Sequence, residues 1–219
     1  MDQFSAQSQA RAAHAREAGY FKNQITPLEL TTRRKTVTFD NDEFIRAETT
    51  TESLASLRAA FIKDGLVTAG NSSGINDGTA SLVLANSAAL ETHKVNPLAR
   101  IIAYGFGGVP PRIMGMGPVP ASEMALERAG LRVDDRALSE SNEAFVAQSC
   151  AVSRQLNLDP ARVNPNGCAI PLGHPVGATG AIIMTKLIHE LHRINGRYGM
   201  ATMCIGGGQG ISVVIDAKP

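Results

Sequence analysis

Two apolar runs near the carboxyl end of the chain flank a glycine-rich turn. Residues 200–205 and 211–215 are dominated by Met, Ile and Val, and the segment between them is Gly-Gly-Gly-Gln-Gly. Apolar runs of this length, bounded by glycine, are typical of strands joined by a short turn. They predict two adjacent strands, so every candidate fold has to contain this hairpin.

The segments before the hairpin alternate between strand and helix patterns. Residues 99–105 and 137–141 have the pattern of strands, and helices are predicted at 122–129, 143–157 and about 180–195. Strands alternating with helices of this length are typical of an α/β fold.

The last predicted helix has one apolar side and one charged side. The apolar residues recur at helical spacing: Ile183, Leu187, Leu191 and Ile194. The charged residues are Lys186, Glu190 and Arg193. Because a helix at the surface of a domain buries its apolar stripe, we expect these charged side chains to face solvent.

The first part of the chain is more polar and less periodic. The sequence predicts a helix over 1–19, a short strand at 36–39 and one or two helical turns at 53–61. An apolar run at 80–85 and a short helix at 87–94 follow. We interpret residues 21–64 as an excursion from the compact core.

The composition excludes several classes of function. The chain has 219 residues, and 21 basic against 20 acidic side chains give a net charge of +1, so nucleic acid and anionic membranes are not attracted in general. No apolar run approaches the roughly 20 residues that span a bilayer. The three cysteines lack the spacing of a disulfide framework or a zinc site. We therefore expect no metal and a reducing, cytoplasmic setting.

Asn142 stands where the predicted strand at 137–141 gives way to a helix. As a helix N-cap, its side chain would accept from the first free N–H groups of that helix. Alternatively, its amide orients a water or a ligand at the carboxyl end of the strand, where α/β proteins bind ligands. The residues alone leave both roles open.

His174 lies in the run GHPVGATG, directly before the last predicted helix. Flanking glycines allow the backbone to approach a ligand closely. The positive end of the helix favours the neutral imidazole, which can accept a proton. An ordinary turn histidine at a helix entry is equally consistent with the sequence.

Cys204 ends the first strand of the hairpin and precedes the glycine turn that begins at Gly206. The N–H groups of such a turn can bind an oxyanion, and a thiol with a lowered pKa is a base or a nucleophile. Cys150 and Cys168 have no such context, and we interpret them as inert apolar side chains.

These segments resemble the thiolase family. The matching motifs are VTAGNSSGINDG from Val67, MGMGP from Met114, NEAF from Asn142, NPNGCAIPLGHPVGATGA from Asn164 and CIGGGQG from Cys204. The resemblance extends over essentially the whole chain, and GHP followed thirty residues later by CxGGG is its most specific part. It implies acyl transfer between coenzyme A (CoA) thioesters, either condensing acetyl-CoA to acetoacetyl-CoA or cleaving 3-ketoacyl-CoA thiolytically.

The resemblance also implies roles for individual residues. His174 would activate a nucleophilic cysteine and help to stabilise an enolate oxygen, and Asn142 would hold the water that completes the oxyanion hole. Cys204 would be the acid and base for the α-proton of the thioester, and Gly206 would belong to the backbone of the oxyanion site. Such a weakly acidic proton requires a base together with oxyanion stabilisation. The CoA thioesters are substrates, and no cofactor is expected.

Further positions match those that contact CoA or the acyl group in the family: Arg46, Ser53, Phe61, Ala69, Ser73, Met114, Ala144 and Phe145. The implied fold is the layered αβαβα architecture of thiolases. In it, residues 1–75 would form a CoA-binding loop domain, and residues 76–97 a strand and a helix that complete the sheet of the N-terminal half. Residues 98–219 would form the C-terminal domain.

One family motif is absent from the sequence, because none of the three cysteines lies in the Cys-Gly-Ser or Cys-Gly-Gly setting of the family's nucleophile. We therefore expect the N-terminal half to be missing and the lone chain to be inactive. The expected partners are acyl-CoA, CoA and either an N-terminal thiolase half or a second copy. The alternatives are a truncated module that only binds CoA or another protein, and an unrelated α/β protein whose motifs agree by chance.

Overall fold

Most helices and strands lie where the sequence predicts them. The computed structural model describes residues 1–218. Its helices are α1 (Asp2–Glu17), α2 (Thr51–Ala55), α3 (Ser87–His93), α4 (Pro118–Ala129), α5 (Val146–Gln155), α6 (Ala169–Leu172) and α7 (Thr179–Arg193). Its strands are β1 (Leu28–Thr31), β2 (Thr36–Phe39), β3 (Arg100–Gly108), β4 (Leu138–Ser141), β5 (Tyr198–Ile205) and β6 (Gln209–Asp216).

The C-terminal hairpin forms the centre of a four-stranded sheet with the order β3-β6-β5-β4. β5 and β6 pair antiparallel, as the glycine turn between them predicts. β3 adds to β6 antiparallel, whereas β4 adds to β5 in the parallel direction. The carboxyl ends of β4 and β5 therefore lie at the same edge of the sheet. A separate two-stranded sheet contains β1 and β2.

Helices cover both faces of the larger sheet. α4 packs on β3, β6 and β5, and α7 packs on β5 and β4. The apolar stripe of α7 buries Leu187 and Leu191 against Leu138 and Ile215, and each such side chain contributes about 1.5–3 kcal/mol. α4 approaches β3 so closely that a Cβ on Gly105 would come within 2.3 Å of a carbonyl oxygen in the helix. None of the helices within residues 1–218 is long and apolar enough to cross a membrane.

The apolar run at 80–85 does not form the predicted strand. Residues 74–86 have no regular secondary structure, and Ile75 and Val83 are 97% and 95% exposed. Because a strand is stable only beside a partner strand, an apolar run without one stays irregular. The predicted strand within 76–97 is therefore wrong, whereas the helix that follows it is confirmed as α3.

The expectation that the charged side of α7 faces solvent is also wrong for two of its residues. Lys186 is 4% exposed, and its Nζ donates to Glu140 Oε2 at 2.7 Å and to the Gly167 carbonyl oxygen. Glu190 is buried as well, and it accepts from Asn166 Nδ2 at 2.8 Å and from Arg193. These side chains can be buried because each is paired with a group of opposite charge.

The Lys186–Glu140 pair joins α7 to β4. Burial raises the pKa of Glu140 to about 7, although Lys186 beside it acts in the opposite direction. Burial alone would lower the pKa of Lys186, but the attraction of Glu140 outweighs it and raises that pKa. Each side chain therefore favours the charged form of the other, against the effect of burial.

We expect Lys186→Met to destabilise the protein by about 3–5 kcal/mol, because Glu140 would remain as a buried group without its partner. Urea unfolding followed by circular dichroism measures this change. Lys35→Met, at an exposed lysine, is the matched control, with an expected change below about 0.5 kcal/mol. Adding Glu140→Gln to Lys186→Met should restore part of the loss. Equal stability of the two single variants would contradict the importance of the pair.

Candidate functional site

The carboxyl ends of β4 and β5 bring Asn142 and Cys204 to one edge of the sheet. Ser141 is in register with Thr202, and the Asn142 N–H donates to the Thr202 carbonyl oxygen at 3.0 Å. Cys204 lies two residues further along β5. The parallel pairing of two strands therefore places both candidate residues side by side.

The side chain of Asn142 is not a helix N-cap. α5 begins only at Val146, and the capping position before it is Phe145. Asn142 is 1% exposed, and its Nδ2 lies 3.3 Å from His174 Nε2. Its Oδ1 accepts from Cys168 Sγ at 3.9 Å. Of the two roles left open by the sequence, the structure excludes the cap and connects the amide to His174.

Asn164 holds the chain on both sides of Asn142. Its Oδ1 accepts from the Ser141 N–H at 2.8 Å, and its Nδ2 donates to the Ser141 carbonyl oxygen at 2.7 Å and to Glu143 Oε1 at 3.0 Å. Its backbone has a φ of +46°, which Asn tolerates better than most residues. Asn164 is a residue of the site that was not predicted from the sequence, although the NPN motif that begins there was a signal for it.

Glu143 is a buried carboxylate that ties the amino-terminal helix to the site. It accepts from Ser8 Oγ of α1 at 2.7 Å and from the Ile170 N–H of α6 at 3.3 Å, in addition to Asn164. Burial raises its pKa, and these hydrogen bonds act in the opposite direction. The sequence pattern predicted that the following helix begins at Glu143. Residues 143–145 instead precede α5.

His174 is half-buried and contacts polar groups on two sides. Its Nδ1 lies 2.7 Å from Thr179 Oγ1, and Asn142 lies on the side of Nε2. The backbone N–H of His174 donates to the Gly74 carbonyl oxygen at 3.2 Å and to Asn76 Oδ1 at 3.3 Å. Burial lowers the pKa of the imidazole from its ordinary value, which favours the neutral ring. Such a ring can accept a proton.

Cys204 is 8% exposed, and burial raises the pKa of its thiol above 9.0. The thiol is therefore protonated at neutral pH, and the lowered pKa that a resting nucleophile requires is not found. The turn after it is open at Gly206, where no atom lies within 4 Å of the position of a Cβ. Cys168 is buried as predicted, but it is part of the site because it contacts Asn142. Cys150 is partly buried on α5.

The structure brings several of the predicted CoA-contacting residues together. The N–H and Oγ of Ser73 donate to the Ala144 carbonyl oxygen at 3.1 and 3.0 Å. The rings of Phe61 and Phe145 meet edge to face, with 6.2 Å between their centroids. Ala69 is exposed on the same loop as Ser73.

The other predicted contacts lie apart from this cluster. The Arg46 guanidinium stands 5.8 Å over the Phe44 ring. Ser53 forms a capping box with Thr50 at the start of α2. Met114 lies in a 3-10 helix, Pro111–Met116, which packs on α5, β5 and β6.

A groove of about 360 Å³ opens beside His174, between residues 76–80 and the start of α7. Its walls on the helix side are residues 175–178 and Ala181. Among residues 1–218, no group of three or more His, Cys, Asp or Glu side chains is placed to hold a metal ion.

We expect Cys204 in the folded chain to be alkylated slowly by iodoacetamide at pH 7 and faster at alkaline pH, because only the thiolate reacts and burial raises the pKa of this thiol. Peptide mapping by mass spectrometry measures the rate at this position, with the urea-unfolded chain as the control. A folded rate at pH 7 that matches or exceeds the unfolded rate would contradict a buried, protonated thiol.

Two family models match the chain. Residues 95–217 match the C-terminal domain of thiolases, and residues 1–88 match the N-terminal domain. The expectation that the N-terminal half is missing is therefore wrong, because the chain carries a part of that domain.

The chain is also similar to proteins named beta-ketothiolase, acetyl-CoA acetyltransferase and 3-ketoacyl-CoA thiolase. It is 53% identical to the beta-ketothiolase BktB of Cupriavidus necator over 216 residues, which cover 98% of this chain and 55% of that protein. The crystal structure of the Bacillus anthracis acetyl-CoA acetyltransferase superimposes with a TM-score of 0.96 at 48% identity, covering 98% of this chain and 55% of that one. Human mitochondrial 3-ketoacyl-CoA thiolase in complex with CoA gives a TM-score of 0.90 at 44% identity, covering 98% and 53%. The chain thus spans about half the length of these relatives and has their α/β fold, and it belongs to the thiolase family.

Proposed function

We propose that this chain supplies the acid–base part of a thiolase-type acyltransferase site, which acts on 3-ketoacyl-CoA and acetyl-CoA. The observation that carries the proposal is the hydrogen bond between Asn142 and His174 beside Cys204, at the end of two adjacent strands. The names of the relatives, acetyl-CoA acetyltransferase and 3-ketoacyl-CoA thiolase, support the same class of reaction.

The cleavage reaction begins at His174. A cysteine from the part of the family sequence that this chain does not cover loses its proton to the imidazole and attacks the ketone carbon of 3-ketoacyl-CoA. The bond between C2 and C3 breaks, the acyl group stays on that cysteine, and acetyl-CoA leaves as its enolate. The neutral imidazole of His174 suits this role, because a ring that is already protonated cannot accept the proton.

Cys204 then acts as an acid. Its thiol gives a proton to C2 of the enolate, which its raised pKa permits at neutral pH. Asn142 and His174 stabilise the enolate oxygen, since charge that develops there needs hydrogen-bond donors. The thiol of CoA gives its proton to the Cys204 thiolate and attacks the acyl carbon. The bond to the cysteine breaks, and the cysteine thiolate regains its proton from His174. The same steps in reverse condense two molecules of acetyl-CoA.

The loop beside the site is suited to hold the CoA part of the substrate. Phe61 is 71% exposed next to Phe145, and Ser73 fixes the backbone at Ala144. An exposed aromatic side chain on an ordered loop offers an apolar surface to the pantetheine or adenine groups. We assign CoA binding to this cluster, and Arg46, which matches a CoA-contacting position of the family, is a candidate for binding the phosphates.

The direct test joins the chain to the remaining family sequence. The part of the Cupriavidus necator relative that this chain does not cover is joined to the chain at the place that it has in that relative, and loss of acetoacetyl-CoA in the presence of CoA is followed. We expect turnover by the fusion and none by the 219-residue chain alone. A soluble fusion that binds CoA in calorimetry but shows no turnover would favour the alternative, a CoA-binding module without activity. Turnover by the chain alone would show that the nucleophile is present in it.

In that fusion, we expect His174→Ala to lower kcat by at least about 100-fold, because general acid–base catalysis contributes about 10²–10⁴-fold. His93→Ala, at an exposed histidine of α3, is the matched control and should be unchanged. Cys204→Ser should abolish cleavage, since a hydroxyl is a weaker acid than a thiol. Full activity of the Cys204→Ser variant would overturn the role of Cys204.

A further inference from the structure

Thr179, the first residue of α7, contacts the ring of His174. We propose that Thr179 is a positioning residue, which holds the proton of the neutral His174 ring on Nδ1 and leaves Nε2 free to accept a proton on the side of Asn142. This inference rests on the proposed function of His174 and adds to it the residue that prepares the ring for that function.

The first observation is on the Nδ1 side of the ring. Thr179 Oγ1 lies 2.7 Å from His174 Nδ1 and 3.0 Å from the Pro175 carbonyl oxygen. A carbonyl oxygen only accepts, so the single hydroxyl hydrogen of Thr179 points to Pro175. The hydroxyl oxygen can then only accept from His174, which requires a hydrogen on Nδ1. Thr179 is buried, so no solvent contact competes with these two bonds.

The Pro175 carbonyl oxygen also accepts from the N–H groups of Ala178 and Thr179, at 2.8 and 2.9 Å. This oxygen is therefore shared between three donors. A contact on the opposite side of the His174 ring indicates the same tautomer independently.

On the Nε2 side, the donor is Asn142. Its Nδ2 lies 3.3 Å from Nε2, and an amide nitrogen only donates, so Nε2 must carry the free electron pair. The orientation of this amide follows from Cys168, whose Sγ lies 3.9 Å from Asn142 Oδ1. Burial raises the pKa of Cys168 to about 12, so the thiol keeps its hydrogen and faces the amide oxygen. The opposite tautomer would require both the Asn142 amide and the Thr179 hydroxyl to turn.

The tautomer determines what the ring can do. A proton on Nε2 would leave the free electron pair on Nδ1, which faces the buried Thr179 and cannot reach a substrate. With the proton on Nδ1, the basic nitrogen faces the carboxyl ends of β4 and β5. The hydrogen bond made by one ring nitrogen generally sets the state of the other.

The test measures the tautomer in the 219-residue chain itself. The histidine rings are labelled with ¹⁵N, and two-bond ¹H–¹⁵N correlations are recorded at pH 8, with His174 assigned by its absence in His174→Ala. We expect a single Nδ1–H tautomer in the wild type and in Thr179→Ser, which keeps the hydroxyl. Thr179→Val should shift the ring at least partly to the Nε2–H tautomer. Thr185→Val, which removes another hydroxyl of the same helix that bonds to the Ala181 carbonyl oxygen, should leave the signals unchanged.

Two results would overturn the proposal. One is an Nε2–H tautomer in the wild type, and the other is an unchanged Nδ1–H tautomer in Thr179→Val. Asn142→Ala separates the two sides of the ring, because we expect it to keep the Nδ1–H tautomer. A shift in Asn142→Ala but not in Thr179→Val would assign the tautomer to Asn142 instead.

A kinetic comparison in the fusion enzyme connects the tautomer to catalysis. Thr179→Val should lower kcat by about 10-fold or more with little change in KM, as a part of the general-base contribution, and Thr179→Ser should restore it. An inactive fusion together with the expected tautomers would reject the proposed function but not the role of Thr179. Wild-type kcat in Thr179→Val with a shifted tautomer would reject the catalytic consequence.

Discussion

The positions of the site residues depend on the buried ion pair between Lys186 and Glu140. Lys186 binds the carboxylate of β4 and the Gly167 carbonyl oxygen at once, so one ammonium group links α7, a sheet strand and the loop before His174. Charges in a protein interior are tolerated only when they are paired and hydrogen-bonded. The pair therefore fixes the position of α7 relative to β4, the two elements next to which His174 and Asn142 lie.

The residues that make up the site come from segments far apart in the chain. Asn142 follows β4, His174 precedes α7, and Cys204 is the last residue but one of β5. Glu143 adds α1 to the same network through Ser8, a contact across 135 residues. Because displacements of about 1 Å in a catalytic arrangement can cost about 100-fold in rate, such buried polar contacts matter to function as well as to stability. This arrangement explains why the amino-terminal helix is ordered against the C-terminal domain.

In contrast to these buried polar contacts, residues 74–86 and the outer face of β3 carry exposed apolar side chains. Val83 and Leu84 are exposed on an irregular segment, and Tyr104 and Phe106 are exposed on an edge strand. Exposed apolar side chains in such numbers are typical of interaction sites. They agree with the proposal that the active enzyme contains more of the family sequence than the half that this chain spans. Residues 76–80, within the irregular segment, also line the groove beside His174.

Signals that act over a few residues were sufficient to predict much of the fold. The hairpin follows from its glycine turn, and α1 and α4 end close to Gly19 and Gly130, both with a positive φ. The failures concern contacts between distant residues. Helical spacing places Lys186 and Glu190 on one side of α7, but it does not reveal that another charged group faces them there.

The site was predicted with the same limits. The α/β pattern predicted that Asn142 follows a strand and that Cys204 lies near the end of another, whereas the parallel pairing that brings these two strand ends together did not follow from it. The choice between a cap and a site residue did not follow from it either. That choice depends on Asn164, which lies 22 residues after Asn142 and holds both of its neighbours. Likewise, the run at 80–85 has the pattern of a strand, but a strand also needs an edge to pair with.

The central claim is that this chain, without any further family sequence, builds and holds the corner formed by Asn142, His174 and Cys204. Native-state hydrogen exchange of the 219-residue chain, followed by NMR, tests it most directly. The backbone N–H of Asn142 bonds to the Thr202 carbonyl oxygen. It should exchange as slowly as the backbone N–H groups of Met200 and Val214 in the centre of the sheet, to within about 10-fold. Residues 76–86 should exchange rapidly. If the Asn142 amide exchanged as fast as that segment, the corner would not be built by this chain alone, and the account would be contradicted.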